Sequence, residues 1–330
     1  MKQRLQRRLA SKSLILMYHR VAEVDLDPWS LCVTPQHFAE HLEVLQKYVR
    51  PISLQQLAQA HRDDKIPHRA VAITFDDGYA DNLHHAKPLL ERYDIPATVF
   101  VTTGNIGKQR EFWWDELERL VLQPQRLPEK FSLKIKTTTH HWELDAATCS
   151  EDDLKCDRHP WKAKPGSRLF FYYSIWQLLQ PLPESDRLKT LDEISAWAMV
   201  EPIARPTHYS LLPEELLALD QGELVEIGAH TVTHPFLSAH SVAFQRHEIQ
   251  QSKADLEEIL NRPVTSFAYP HGDRTTETVE LTRTAGFDCA CSTVQNIVWR
   301  QSHCFDLPRF GVDNWNGEEF AKQLSRWFYD

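Results

Sequence analysis

The chain has no apolar run long enough to cross a membrane, no paired-cysteine motif, no basic stripe, no internal repeat and no low-complexity tract. Each absence removes a class of function. The early apolar run at 14–17 is shorter than the core of a secretory signal peptide and far from a membrane span. The expected location is therefore cytoplasmic. The formal net charge of -9 argues against a nucleic-acid partner. Basic residues crowd together only in MKQRLQRRLASK. That stretch reads as a solvated N-terminal arm over 1–11, with peripheral contact to an anionic membrane surface as the alternative. The six cysteines, Cys32, Cys149, Cys156, Cys289, Cys291 and Cys304, contain no CxxC pair. Cys289 and Cys291 fall on one face of a strand, which suits core packing better than metal binding. All six read as reduced thiols.

What is present is an ordinary globular composition, 42% hydrophobic and 25% charged over 330 residues. Seven short, nearly continuous apolar runs recur at 14–19, 71–77, 97–103, 224–230, 264–269, 289–293 and 307–312. Continuous rather than alternating apolarity marks strands covered on both faces, as in a parallel sheet. Helical patterns lie between them. One starts at Thr34-Pro35 and carries Phe38, Leu42 and Leu45 on one stripe. A second spans 81–93, where Pro88 should shift its start or kink it. Others cover 242–260, 275–285 and 317–327. Seven strands with intervening helices predict an α/β fold, a (β/α) barrel or an open parallel sheet. The rhythm breaks over 105–221. A loop of that length cannot be structureless in a compact domain, so it reads as an inserted subdomain within 12–330. Its expected elements are a helix at 115–122, a hairpin through Phe131, Leu133, Ile135, Trp142 and Leu144, and helices at 170–179 and 186–199. Phe112-Trp113-Trp114 at its entrance either stack on sugar rings or pack the insertion.

Three strand ends carry titratable groups. LILMYH ends on His19, read alone as either a satisfied strand-end histidine or a functional imidazole. ITFDDGY ends on Asp76 and Asp77. Two ionised carboxylates side by side at a buried strand end repel, so a cation or a proton must relieve them; the plain alternative is a solvated Asp-Gly turn. EIGAHTVTH places His230 and His234 at i and i+4. Two histidines and one aspartate make a first-row divalent metal site with positions left open for water and substrate. His37 and His41 share that spacing, but they flank an apolar stripe with no carboxylate-bearing strand end beside them.

TFDDGY, HTVTH and FAYPHG, in that order, resemble the polysaccharide deacetylase family, the NodB-homology carbohydrate esterases, over roughly 12–104 and 222–315. The resemblance implies a distorted (β/α)7 barrel with a large inserted subdomain, and metal-dependent hydrolysis of an N-acetyl group on a sugar. It implies Asp76 as general base, and Asp77, His230 and His234 as ligands of one divalent metal, zinc first, with cobalt, nickel or manganese as alternatives. It implies substrate and oxyanion contacts at Tyr269, Pro270 and His271. The family's usual late acid histidine is missing, since no His follows His303. A circularly permuted subgroup, resembling poly-N-acetylglucosamine deacetylases, brings the acid first on a strand like LMYHRV, which implies His19 as general acid.

There are departures. The family's arginine before the Pro-Tyr-Gly-type turn is absent, and Arg309 is the nominated substitute. Asp313 is expected to orient His19. Trp315 either lines an acyl or sugar pocket or packs in the core. His271 is either a substrate contact or an exposed ring. The expected substrate is an N-acetylated carbohydrate of a cell-envelope polysaccharide or its lipid- or nucleotide-linked precursor. The alternatives are an amide or formyl hydrolase acting on a small molecule, and a catalytically silent carbohydrate-binding barrel.

Overall fold

The computed structural model describes residues 11–144 and 159–329. The basic arm, apart from its last residue, and Cys149 and Cys156 lie outside them. The chain divides into two compact units. The first comprises the chain up to Val24, Leu31–Gly107 and Ser210 onward; the second comprises Asp25–Ser30 and Lys108–Tyr209. No helix among the described residues is long and apolar enough to cross a membrane.

The first unit is built on a parallel sheet. Its strands are β1 (Ser13–Tyr18), β2 (Ala70–Phe75), β3 (Ala97–Val101), β4 (Val225–Ala229), β5 (Ser266–Ala268), β6 (Cys289–Cys291) and β7 (Phe310–Gly311). They lie in the order β6-β5-β4-β3-β2-β1-β7, and Arg50–Pro51 also pairs with β2. Beyond β6, Cys291 bridges Leu307, whose chain runs on into β7, so the sheet curls back on itself as a distorted barrel. All seven expected runs are strands. The physical reason is two-sided burial: every residue of β2 and β3 is buried, and Leu14, Ile15 and Leu16 of β1 have no exposed surface. Side chains of β1 feed two cores, Leu14 and Leu16 one and Ile15 the other, as the alternation of a strand requires.

The helices follow their end signals. Thr34 Oγ1 accepts the His37 amide to start Pro35–Tyr48, and Ser241 and Thr275 cap Val242–Leu260 and Thr276–Thr284 in the same way. The expected disturbance at Pro88 takes a specific form. Residues Asn82–Ala86 form a π-helical turn, with the Lys87 amide reaching back to Asn82 O, before Lys87–Tyr93 continues as α-helix. Proline has no amide to give to the preceding turn, so the wider register costs nothing there. Cys289 and Cys291 are buried free thiols in the core, as their spacing suggests.

The second unit contains the helices Trp113–Val121, Arg168–Leu179 and Glu184–Ala198 and the antiparallel hairpin Lys130–Ile135 with Thr138–Glu143. Phe131 stacks on Trp142 at 5.5 Å between ring centroids and also meets Trp197. Phe112, Trp113 and Trp114 are buried; Phe112 stacks on Trp114 at 4.8 Å and the Arg187 guanidinium lies over Trp113. Of the two readings of these rings, packing holds, because their faces are covered inside the unit.

Candidate active site

Parallel pairing brings the titratable strand ends to one edge of the sheet. β1 and β2 run in register from Ser13↔Ala70 to Tyr18↔Phe75. The next residues, His19 and Asp76, therefore leave neighbouring strands side by side, with the Asp76 amide donating to Tyr18 O at 3.0 Å. On the other side Thr102 N donates to Asp77 O and His230 N to Val101 O, which brings the end of β4 to the same edge. The carboxyl ends of parallel strands are where such folds build sites.

Asp77 Oδ1 lies 3.3 Å from His234 Nε2 and 3.6 Å from His230 Nε2, and the three ligand-type atoms fall within 4.8 Å of one another. All three residues are buried. His230 Nδ1 is 2.8 Å from the Ala268 carbonyl. A carbonyl can only accept, so Nδ1 carries the proton and Nε2 presents a lone pair. Burial lowers the His230 pKa to about 4, against the pull of Asp76 and Asp77, so the ring is neutral. Asp77 Oδ1 is thus a buried carboxylate oxygen facing an acceptor nitrogen, and it makes no hydrogen bond of good geometry. Lone pairs converging on one point in a buried place fit a divalent cation, and the Ala268 carbonyl is the outer partner that fixes the tautomer of a ligating histidine.

The backbone of this corner is held in unusual conformations. Asp77 has φ 77°, Thr231 φ 64° and His234 φ 52°. A left-handed β-branched threonine is costly and persists only where surroundings over-determine it. Here Thr231 Oγ1 accepts the His234 amide, and Glu248 of the helix Val242–Leu260 receives the amides of Val232 and Thr233 at 2.9 and 2.8 Å and the Thr233 hydroxyl at 2.9 Å. Burial raises the Glu248 pKa, against those hydrogen bonds. Gly104 donates to Val232 O, and a Cβ there would stand 2.5 Å from that oxygen. Glu248 was not singled out from the sequence. Its signal is a carboxylate on the stripe Gln245, Glu248, Ile249, Ser252 and Leu256, where the helix faces inward.

Asp76 is gripped by Arg309. The two guanidinium nitrogens donate to its two oxygens at 2.6 and 2.7 Å, a bidentate pair. Arg309 is wholly buried, anchored by Ser292 O and Thr74 Oγ1, with its guanidinium carbon 5.6 Å from the Phe100 ring centre. Burial alone would raise the Asp76 pKa. The charge of Arg309, then that of His230 once acid protonates it, the Arg309 hydrogen bonds and the charge of His19 outweigh burial and hold the group well below the usual carboxylate range. Asp77 is lowered too: burial opposes, while His234, His19 and His230 pull it down. His19 is half-buried, and its charge reaches both carboxylates.

The remaining expected residues divide. The turn Pro270–Gly272 follows β5, with His271 at φ 58°. The His271 ring meets His234 edge-on at 4.5 Å and stacks on Phe236 at 3.8 Å. Gly272 is required there, since a Cβ would meet Thr293 Oγ1 at 2.0 Å. The Tyr269 ring, directly before this turn, is buried, and its hydroxyl donates to Phe305 O at 2.9 Å. Trp315 packs with the core, 6.0 Å from Trp327, and its carbonyl accepts His41 Nε2. Asp313 is exposed after β7. His41, of the matched-spacing pair set aside above, is buried beside Tyr18 with its pKa lowered to about 4 by burial. In the second unit Asp115, Glu118 and His208 also come within 4.8 Å. There Glu118 already pairs with Arg205 at 2.8 Å, inside an ion-pair network with Glu111 and Arg119, and burial pushes it up to about 7.

The carboxyl edge of a parallel α/β sheet thus gathers a carboxylate pair, two histidines and a buried arginine. The family model for polysaccharide deacetylase matches residues 63–154 and 188–290, more than half the chain. The chain belongs to the polysaccharide deacetylase family. It is 30% identical over 141 residues to the YxkH protein of Bacillus subtilis, covering 42% of this chain and 46% of that one. It is 27% identical over 112 residues to a poly-beta-1,6-N-acetyl-D-glucosamine N-deacetylase of Staphylococcus aureus, covering 30% and 39%. It thus spans less than half the length of these relatives. The IcaB structure from Ammonifex degensii superposes with a TM-score of 0.60 at 18% identity over 97% of this chain and 98% of that one. The Streptococcus pyogenes deacetylase PplD, in complex with acetate, gives 0.58 at 17% over 96% and 99%. These two establish the fold.

Proposed function

We propose that the chain removes N-acetyl groups from an amino-sugar polymer of the poly-β-1,6-N-acetylglucosamine type, using one divalent metal held by Asp77, His230 and His234. The observation that carries the reading is the buried Asp77 Oδ1 facing two imidazole Nε2 atoms, one of them fixed as an acceptor by Ala268. A divalent cation, when bound, supplies Lewis acidity that polarises the amide carbonyl and makes water a usable nucleophile near neutral pH.

The chain's own groups do the rest. Asp76 stays ionised across the neutral range and is held by Arg309 through both oxygens, each of which keeps a further lone pair to accept the proton of the attacking water. A base this acidic is weak, and it serves because the attacking water is itself made acidic. The turn Pro270–Gly272 offers a backbone N–H at His271 to the oxygen that gains charge as the carbonyl carbon becomes tetrahedral. As the C–N bond breaks, the leaving nitrogen must take a proton, and His19, beside Asp76 on the neighbouring strand end, supplies it. The products are acetate and a free amine. Relatives' names support the choice of polymer: the Staphylococcus aureus protein is a deacetylase of that polymer. Zinc suits the two-histidine, one-carboxylate donor set.

The test is acetate release from β-1,6-linked N-acetylglucosamine oligomers. Release that stops on chelation and returns with a divalent metal supports the proposal. No release from any N-acetylated sugar by metal-loaded protein overturns it.

A further inference from the structure

The turn that leaves the Asp76–Asp77 pair does more than connect β2 to the next helix. Asn82 Nδ2 donates to the His19 carbonyl at 2.9 Å. Asp81 Oδ1 accepts the Val21 amide at 3.1 Å, and Asp81 Oδ2 pairs with Arg20 Nε at 2.9 Å. His85 Nδ1 lies 2.7 Å from Val21 O, which makes that nitrogen the donor. One turn therefore holds the backbone at His19 and at Val21, and the side chain of Arg20 between them. Arg20, Asp81 and Asn82 are all buried, and the Arg20 guanidinium sits 4.5 Å from the centre of the Tyr79 ring. A buried arginine–aspartate pair is a poor source of net stability, because removing both charges from water costs about what their attraction returns. Its better-attested use is to fix one arrangement out of several.

The π-helical turn at Asn82–Ala86 sharpens the point. Widened turns of this kind recur at functional sites. This one presents Asn82 and His85 to the same strand end. We propose that Asp81 and Asn82 are positioning residues for His19: they set where its imidazole stands relative to Asp76, so that the segment carrying the base and a metal ligand also places the proton donor. The inference rests on the reading of His19 as the acid. Neither residue touches the reacting atoms. Their effect runs through the backbone around His19: Asn82 binds its carbonyl, and Asp81 accepts the Val21 amide two residues on.

The chemistry supplies a readout that mere structural damage would not give. An amide cannot leave as an amine without receiving a proton. An aryl acetate leaves as a stabilised phenolate and needs none. A misplaced His19 should therefore slow deacetylation of the amide and spare ester hydrolysis at the same metal and base. The experiment compares wild type, Asn82→Ala, His19→Ala and the double variant on N-acetylglucosamine oligomers and on 4-nitrophenyl acetate, with bound metal measured in each. Asn82→Ala should lower kcat on the oligomer about tenfold or more, the size expected of a displaced catalytic group. KM and ester turnover should stay within about twofold, with bound metal unchanged. In the His19→Ala background the same substitution should cost nothing further. Asp81→Asn keeps the shape, removes the charge opposite Arg20, and should show the same split should Asn82→Ala fail to fold. Equal loss on amide and ester, or an additive loss in the His19→Ala background, would overturn the inference while leaving the function intact. Undiminished amide turnover in His19→Ala would instead overturn the assignment of the acid, and this inference with it.

Discussion

Replacing Arg309 by methionine separates the two things its guanidinium does. The substitution keeps roughly the same apolar bulk between Phe100 and Ser292 and removes the guanidinium hydrogen-bonded to Asp76. Asp76 is then a buried carboxylate that has lost its bidentate partner. Breaking a buried pair by removing one member costs roughly 3–5 kcal/mol, far more than a surface pair. The pH dependence has a definite sign. In the wild type the folded pKa of Asp76 lies below its unfolded value. The pair's stabilisation is therefore fully present above the unfolded pKa and is lost only as pH falls through the folded one, so it is constant across the neutral range. In the variant, burial without Arg309 raises the folded pKa above the unfolded value. The penalty is then small while the group is protonated and grows as pH rises through that raised pKa. Urea unfolding of both proteins at several pH values from about 4 to 8 measures this, and the gap between them should widen with pH. Arg309→Met with Asp76→Leu should recover most of the loss, since replacing both members of a buried pair by apolar groups is close to neutral. A loss below about 1 kcal/mol, or a gap that narrows with rising pH, would refute the reasoning.

Two further outcomes follow. Glu248→Gln should leave the fold intact and weaken metal binding about 10- to 100-fold, since Gln holds the 231–234 turn with a weaker acceptor; a competition titration against a chelator checks it. Trp113→Ala, which opens a cavity under the stacked rings of the second unit, should lower stability by about 3–5 kcal/mol in a denaturant titration, with no selective change in the KM for sugar oligomers.

The strands were legible because two-sided burial in a parallel sheet writes itself as continuous apolar runs. The strand-end groups were legible because titratable residues interrupt those runs abruptly at Asp76 and His230. Proximity was harder. That His19 stands beside Asp76 depends on β1 pairing with β2 in register, and no local pattern encodes which strands pair. Arg309 could be nominated only because an expected arginine was missing elsewhere; its grip on Asp76 is a contact between residues 233 positions apart.

Other features had no readable signal. Residues Asp25–Ser30 join the second unit from the far side of the barrel sequence, and nothing in their composition marks it. The aromatic run Phe112–Trp114 suits a sugar platform and a core equally well, and only burial decides between them. Asn82 and Glu248 look like ordinary polar helix residues. They matter because they satisfy backbone groups in segments that carry His19, His230 and His234.

The metal site is the centre of the account, and metal content of the purified, metal-loaded chain and of His234→Ala, measured by elemental analysis after dialysis, tests it most directly. The account predicts one divalent ion per wild-type chain and almost none in the variant, with the variant still folded. A folded His234→Ala protein that keeps a full equivalent of metal, or a wild type that binds none, would contradict it.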